Sequence, residues 1–325
     1  MLKSINFKND TQRIMFEVIA SLIPAVIYKT YVFGWLGVFA ITTLLIAAII
    51  TEKTFAKVLN LKSDLGDYTS IITAILLFLT LSCNLTAFIY FIASFVAIGL
   101  GKMIYGGFAK NIFNPAMVGW CFVMVSFPQF LTKHLDYSTT LNFTDSLNIF
   151  LGLTNVDTYT SATPLNFFKI DSYTSASPTI TQHHLEELLP AVPQILYLNL
   201  ITLAGGLYIL ARRIISPVFP IALALGTLTA LLSFDYDVDF IVTAELYFLY
   251  GPAILAAFYI VTDPVSSPSI SRAQFVFSFF IGFISILIAK MGSYPIGMAF
   301  AVIFMNSFNF ILDKLFVKET KNENK

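Results

Sequence analysis

Residues 32–51 read VFGWLGVFAITTLLIAAIIT, a stretch with no charged side chain. Wound as an α-helix at 1.5 Å per residue, it is about 30 Å long, the thickness of a bilayer's hydrocarbon core. A transmembrane β-strand would instead show a short segment of alternating polarity, and no such alternation is present. The whole chain follows this stretch: 57% of its 325 residues are hydrophobic and 12% are charged, with a mean hydropathy of +0.79. Soluble domains carry about 45–50% apolar and about 25% charged residues. The composition therefore reads as an all-α polytopic membrane protein.

Apolar runs predict ten transmembrane helices, at 14–29, 32–51, 68–83, 85–101, 113–131, 194–211, 215–233, 241–261, 273–290 and 296–312. Five is odd, so two five-helix halves would have opposite orientations, the inverted-repeat plan of many transporters. The first run contains Glu17 and is followed by no small-residue cleavage site, so it reads as a retained span rather than a signal peptide. With the N-terminus inside, cytoplasmic segments hold all of the 19 basic residues except Lys29, Lys133, Lys169 and Lys290. That separation follows the positive-inside rule and places both termini on the cytoplasmic side. The expected units are a first membrane half (1–131), a periplasmic loop (132–193), a second membrane half (194–312) and a cytoplasmic tail (313–325).

Several chemistries are excluded. Cys83 and Cys121 both lie in apolar context and read as buried free thiols. Two cysteines without a CxxC or CxxCH pattern cannot ligate a standard iron–sulfur cluster or attach c-type haem. The histidines, His134, His183 and His184, all fall in the polar stretch, away from any span that would offer an axial haem ligand. No glycine-rich βαβ unit is present, so a pyridine nucleotide would have to bind a partner chain. No basic nucleic-acid surface is suggested, and no metal ligand set is assigned.

The polar stretch 132–193 carries two near-copies, DTYTSATP from Asp157 and DSYTSASP from Asp171. The first, Asp157-x-x-Thr160-Ser161-Ala162-Thr163, resembles the flavin-attachment motif D-x-x-[S/T]-x-A-T. In that motif a flavin transferase esterifies FMN through its phosphate onto the last threonine. The requirement is an accessible hydroxyl with small neighbours, and Pro164 keeps a helix from closing over it. The second copy has Ser177 in the acceptor position and is expected to stay unmodified. A plain Ser/Thr-rich loop is the alternative reading.

Two proline motifs sit at span edges. Asn114-Pro115 opens the fifth span and Thr262-Asp263-Pro264 closes the eighth; proline there frees backbone carbonyls and exposes a helix end to a polar ligand or ion. Simple helix termination is the alternative. Of the acids near spans, Glu17 stands four residues after Arg13, the spacing of a helical ion pair. Glu245 falls close to the outer end of its span.

Longer stretches carry a wider resemblance: TQRIMFEVIASLIPA (11–25), GKMIYGGFAKNIFNPAMVGW (101–120), TSATPL (160–165), GPAILAAFYIVTDPVSSPSISRAQ (251–274) and YPIGMAFAVIFMN (294–306). Over nearly its whole length the chain resembles the RnfD/NqrB family of membrane subunits from ion-pumping redox complexes. NqrB members usually have a longer N-terminal extension, so the resemblance is closer to RnfD; Ser161 departs from the glycine found in many members. The resemblance implies covalent FMN on Thr163, with Asp157, Thr160 and Ala162 as determinants read by the transferase and Ser161 as the remaining position of the attachment motif. It also implies a second, non-covalent flavin (riboflavin or FMN), for which Asn114, Phe113, Tyr259, Thr262 and Asp263 are candidates. The function implied is electron transfer in an Rnf-type complex that couples ferredoxin/NAD redox chemistry to Na⁺ or H⁺ translocation. Its partners would be the other proteins of the complex, a flavin transferase and membrane lipid. An NqrB-type component of a Na⁺-pumping NADH:quinone reductase is the alternative within the family. A flavin-free channel or secondary transporter is the alternative outside it.

Overall fold

The computed structural model describes residues 10–61, 65–132, 134–135, 141–154, 160–161, 193–234, 240–292 and 297–323. These are almost wholly helical. Five helices are long and apolar enough to cross a membrane: α1 (Asp10–Phe33), α2 (Trp35–Val58), the segment Ala87–Tyr105 that begins with α4 (Ala87–Phe95), Pro193–Ala211 and Ser271–Met291. Two bent pairs, Thr243–Leu249 with Ala253–Ile260 (54°) and Met298–Asn306 with Asn309–Val317 (52°), raise the number to seven if each is one span. Three shorter apolar helices accompany them: α3 (Thr69–Thr80), α5 (Pro115–Ser126) and Val218–Ser233. The predicted spans thus all coincide with helices, but 241–261 is interrupted at Tyr250-Gly251-Pro252. The last predicted span bends after Asn306 and continues as a helix through Glu323.

In chain order the remaining elements are α6 (Pro128–Thr132), β1 (His134–Leu135), α7 (Phe143–Leu151), β2 (Thr160–Ser161), α8 (Pro193–Ala211), α9 (Val218–Ser233), α10 (Phe240–Leu249), α11 (Ala253–Leu255), α12 (Ser271–Met291), α13 (Met298–Asn306) and α14 (Asn309–Glu323). π-Helical turns at Val96–Leu100 and Ala256–Ile260 extend α4 and α11. One antiparallel ladder occurs among the described residues, His134 opposite Ser161 and Leu135 opposite Thr160. Exposed apolar side chains such as Ile27, Ile46, Leu232 and Ile241 ring the bundle, the surface expected where lipid is the solvent.

Local chemistry sets the helix ends. Asp67 Oδ1 accepts from the Thr69 amide (2.9 Å) and the Thr69 hydroxyl (2.7 Å), supplying a partner for a free N–H at the start of α3. Asn114 Oδ1 accepts from the Met117 amide at 3.3 Å, and Pro115 takes the first position of α5. At its other end α3 stops after only about 18 Å, leaving carbonyls in an apolar interior. The buried Lys29 ammonium of α1 donates to three of them, Phe78 O (2.7 Å), Leu79 O (3.2 Å) and Leu81 O (2.8 Å). Lys29, counted from sequence with the outer solvated charges, is therefore an interior cap.

Glu17 was expected to pair with Arg13. That contact exists at 3.4 Å, but the better partner is Arg212, just past α8, whose Nε and Nη2 donate to the two carboxylate oxygens at 3.0 Å each. The Glu17 carboxylate in turn raises the Arg212 guanidinium above its ordinary pKa, chiefly through the hydrogen bond between them. Glu245 is exposed on α10.

Candidate functional site

A cavity of about 410 Å³ opens between the starts of α1, α3 and α5, the end of α8 and the Thr262–Val265 turn. Its size lies within the ~300–1,000 Å³ range of small-molecule sites. This end of the bundle, where α1 begins, is called the proximal face below, and the opposite end the distal face. Apolar walls come from Met15, Val18, Leu76 and Ile209, and aromatic surface from Phe108, Phe258 and Tyr259. Polar groups from several elements converge on it: Thr69 and Thr73 on α3, Lys102, Asn111 and Asn114 from the chain before α5, and Thr262 and Asp263.

The candidates read from sequence divide. Asn114, Tyr259, Thr262 and Asp263 line the cavity; Phe113 stands next to Asn114 but is not in the lining, and its carbonyl accepts from Asn111 Nδ2 at 3.1 Å. Asn114 is also a bracket. Its amide donates to Asn306 Oδ1 (3.0 Å) and its Nδ2 to Ile260 O (3.2 Å), while Asn306 Nδ2 donates to Ser266 O (2.8 Å). These bonds tie α5 to α13 and the π turn, and they take up most of the polar capacity that a ligand would otherwise engage.

Asp263 serves its own turn. Its carboxylate accepts from the Val265 amide (3.2 Å) and the Ser266 hydroxyl (2.7 Å), and its carbonyl from the Ser267 hydroxyl (2.6 Å). Burial pushes its pKa above the ordinary 3.8, and those bonds only partly oppose the rise. Tyr259 Oη donates to Ser21 Oγ at 3.1 Å. Gly205 of α8 makes room for that pair: a Cβ there would lie 2.4 Å from Ser21 O and 2.5 Å from Tyr259 Oη.

Sequence reading missed a buried ionic cluster at the cavity wall. Lys102 Nζ donates to Thr69 Oγ1 (2.7 Å) and Ser70 Oγ (3.0 Å), with Glu52 Oε1 at 3.4 Å and Asp67 Oδ2 at 3.8 Å. The Ser70 hydroxyl donates to the other Glu52 oxygen. Glu52 and Lys102 are each 2% exposed and Asp67 is partly exposed, so two carboxylates share one buried ammonium. The signal in the sequence was an acid directly after the uncharged 32–51 run.

Of the attachment motif, Thr160 and Ser161 form β2, held against β1 on the chain that leaves α6. Asp157, Ala162 and Thr163 lie outside the described residues, as does the whole second copy, Asp171–Ser177.

A sequence profile described as NQR2, RnfD, RnfE family matches residues 4–322. The chain belongs to this family. Among curated relatives, one from Alcanivorax borkumensis, named as the D component of an ion-translocating oxidoreductase complex, is 33% identical over 304 residues, 92% of this chain and 89% of the relative. Proteins of the same name from Psychromonas ingrahamii (31% identical; 92% of this chain, 91% of the relative) and Pectobacterium atrosepticum (33%; 91% and 90%) align as extensively. The RnfD/NqrB resemblance and the multi-pass membrane character agree with these matches.

Proposed function

We propose that the chain is the electron-transferring RnfD component of an Rnf-type ion-translocating oxidoreductase complex, carrying FMN through a phosphoester on Thr163. The supporting observation is the motif Asp157-x-x-Thr160-Ser161-Ala162-Thr163 in a chain that aligns almost end to end with the D components of such complexes. A flavin supplies the one-electron chemistry, and the protein sets its position and potential. In this reading the Thr163 hydroxyl is the phosphoryl acceptor. The β1–β2 ladder holds the motif at Thr160 and Ser161, three and two residues before Thr163. The chain holds no complete active site: ferredoxin and NAD would react on other proteins of the complex, and the whole assembly would couple their electron flow to Na⁺ or H⁺ movement.

The proximal cavity is assigned to a second, non-covalent flavin, riboflavin or FMN. Its residues suit that group: aromatic faces for the ring, and the Thr73 and Thr262 hydroxyl oxygens, whose own hydrogens are already donated, as acceptors for its polar edge. Ten spans with both termini cytoplasmic fit five long helices, two bent pairs and three short apolar helices. Taken five and five, each half has an interrupted third member, the short α3 in one and the helix broken at Tyr250–Pro252 in the other. That pattern supports inverted halves, with the proximal face cytoplasmic and the stretch 132–193 periplasmic.

The broken helices also suit the alternative of a flavin-free channel. Ultraviolet fluorescence of a denatured gel band separates the two. After co-expression with a flavin transferase, the wild-type band fluoresces, Thr163→Ala abolishes the signal and Ser177→Ala leaves it. A dark wild-type band, or a fluorescent Thr163→Ala band, overturns the attachment.

A further inference from the structure

A second cavity, about 180 Å³, lies on the distal face between the end of α1, the end of α3, the start of α8 and the broken helix. It shares walls with the proximal cavity. Leu76 of α3 lines one and Leu79 the other; Pro115 and Met117 of α5, and Tyr259 and Ile260 of the π turn, divide in the same way. About one helical turn of apolar side chain separates the two.

Two backbone breaks face this distal cavity, and each is capped by a side chain from a neighbouring helix. At the break in the α10–α11 pair the cap is neutral: Asn199 Nδ2 donates to Leu249 O (2.7 Å) and Gly251 O (3.2 Å). At the end of α3 the cap is charged. Lys29 is 6% exposed, its ammonium meets the three carbonyls already described, and the Phe78 ring stands 5.1 Å away. Among the described residues no carboxylate forms a salt bridge with it.

At the other break an amide caps two carbonyls without a charge, whereas here three carbonyls converge on one ammonium and its three donors, and burying an ammonium is costly. Three carbonyl oxygens at the negative end of a helix are the ligand set of a dehydrated monovalent cation. We infer that the distal end of α3 is a monovalent-cation site kept filled by the tethered Lys29 ammonium, which bars free cations from crossing between the two cavities. In the proximal lining the Lys102 ammonium is offset by Glu52 and Asp67 behind it, whereas at the distal wall no carboxylate among the described residues pairs with Lys29. Cations moved by the complex would then follow another path. The inference stands independently of any flavin.

The test is Na⁺ entry into liposomes containing the purified full-length chain, followed with a trapped Na⁺-sensitive dye. Lys29→Gln keeps a neutral cap with two N–H donors, as Asn199 has, and removes the charge together with the third donor. Its flux is expected to exceed wild type by about tenfold or more, the effect of a unit charge about 10 Å away at an effective dielectric near 20. Lys29→Arg is expected to stay at the wild-type level. Lys29→Ala should leak as well and be closed again by ethylammonium, which can refill the carbonyl cage. A folded Lys29→Gln chain as tight as wild type overturns the inference, as does Lys29→Arg leaking like Lys29→Gln. Failure of both neutral variants to fold, with Lys29→Arg folding normally, also overturns it, because the charge would then serve the fold and not the barrier.

Discussion

Gly205→Ala tests whether the α8–α1 contact sets the shape of the proximal cavity. The added methyl would stand 2.4 Å from Ser21 O and 2.5 Å from Tyr259 Oη, whereas ordinary contact begins at 3.4 Å. Relief needs a movement of about 1 Å. The Ser21 carbonyl belongs to the α1 backbone and cannot shift alone, so either α8 separates from α1 or the tyrosine turns away. Turning costs the 3.1 Å bond to Ser21 Oγ and carries the phenol into the cavity that Tyr259 lines. Overpacking of this kind costs about 1–3 kcal/mol. If that strain falls on the liganded state, riboflavin binding weakens roughly 5- to 150-fold at about 1.4 kcal/mol per decade. Quenching of riboflavin fluorescence by the detergent-solubilised chain measures the affinity, and a thermal melt measures the stability. A variant with wild-type affinity and wild-type melting temperature refutes the claim that Gly205 positions Tyr259.

Lys102→Met leaves Glu52 and Asp67 facing each other without their cation; breaking a buried pair in this way costs about 3–5 kcal/mol. The double variant Lys102→Met/Glu52→Gln is expected to recover much of the loss in chemical denaturation, and no recovery would mean that charge is not the cause. Asp263 carries a pH signature. Because its pKa in the fold lies above the ordinary 3.8, the folded protein binds the proton more tightly than the unfolded chain. Its contribution is fully present below pH 3.8 and is lost as pH rises through the folded value. The melting temperature of wild type relative to Asp263→Asn should therefore climb as pH falls through that window, and a constant difference between the two would contradict the burial of the carboxylate.

Among the described residues hydropathy located the five long apolar helices and the two bent pairs, because lipid demands the same property of each exposed face and that property is local. The interruptions were less legible. Pro252 gave some warning of the bend after Tyr250, but α3 was read as 68–83 and ends at Thr80, since where a helix stops depends on a lysine 49 residues earlier in the chain. The Glu17–Arg212 pair illustrates the same limit: the i,i+4 partner Arg13 is visible in the sequence, while the bidentate partner is 195 residues away. Asn114, Thr262 and Asp263 stood out through their prolines, and the structure brings them to one cavity. Glu52 and Lys102 did not, because each lies just past an apolar run and resembles an ordinary loop charge until α3 is placed between them. The motif proposed for flavin attachment is a pattern of small residues around a hydroxyl, and its Asp157, Ala162 and Thr163 lie outside the described residues.

The bracket at Asn114 has a bearing on how the chain is made. Its amide hydrogen waits for a side chain 192 positions later, and at roughly 5–20 residues per second of synthesis the ribosome needs about 10–40 s to deliver it. Through that interval the start of α5 must persist in the insertion machinery or at the lipid headgroups without its final acceptor. Biogenesis of this protein thus has a built-in delay, and a chain truncated before Asn306 would leave the Asn114 amide without its final acceptor.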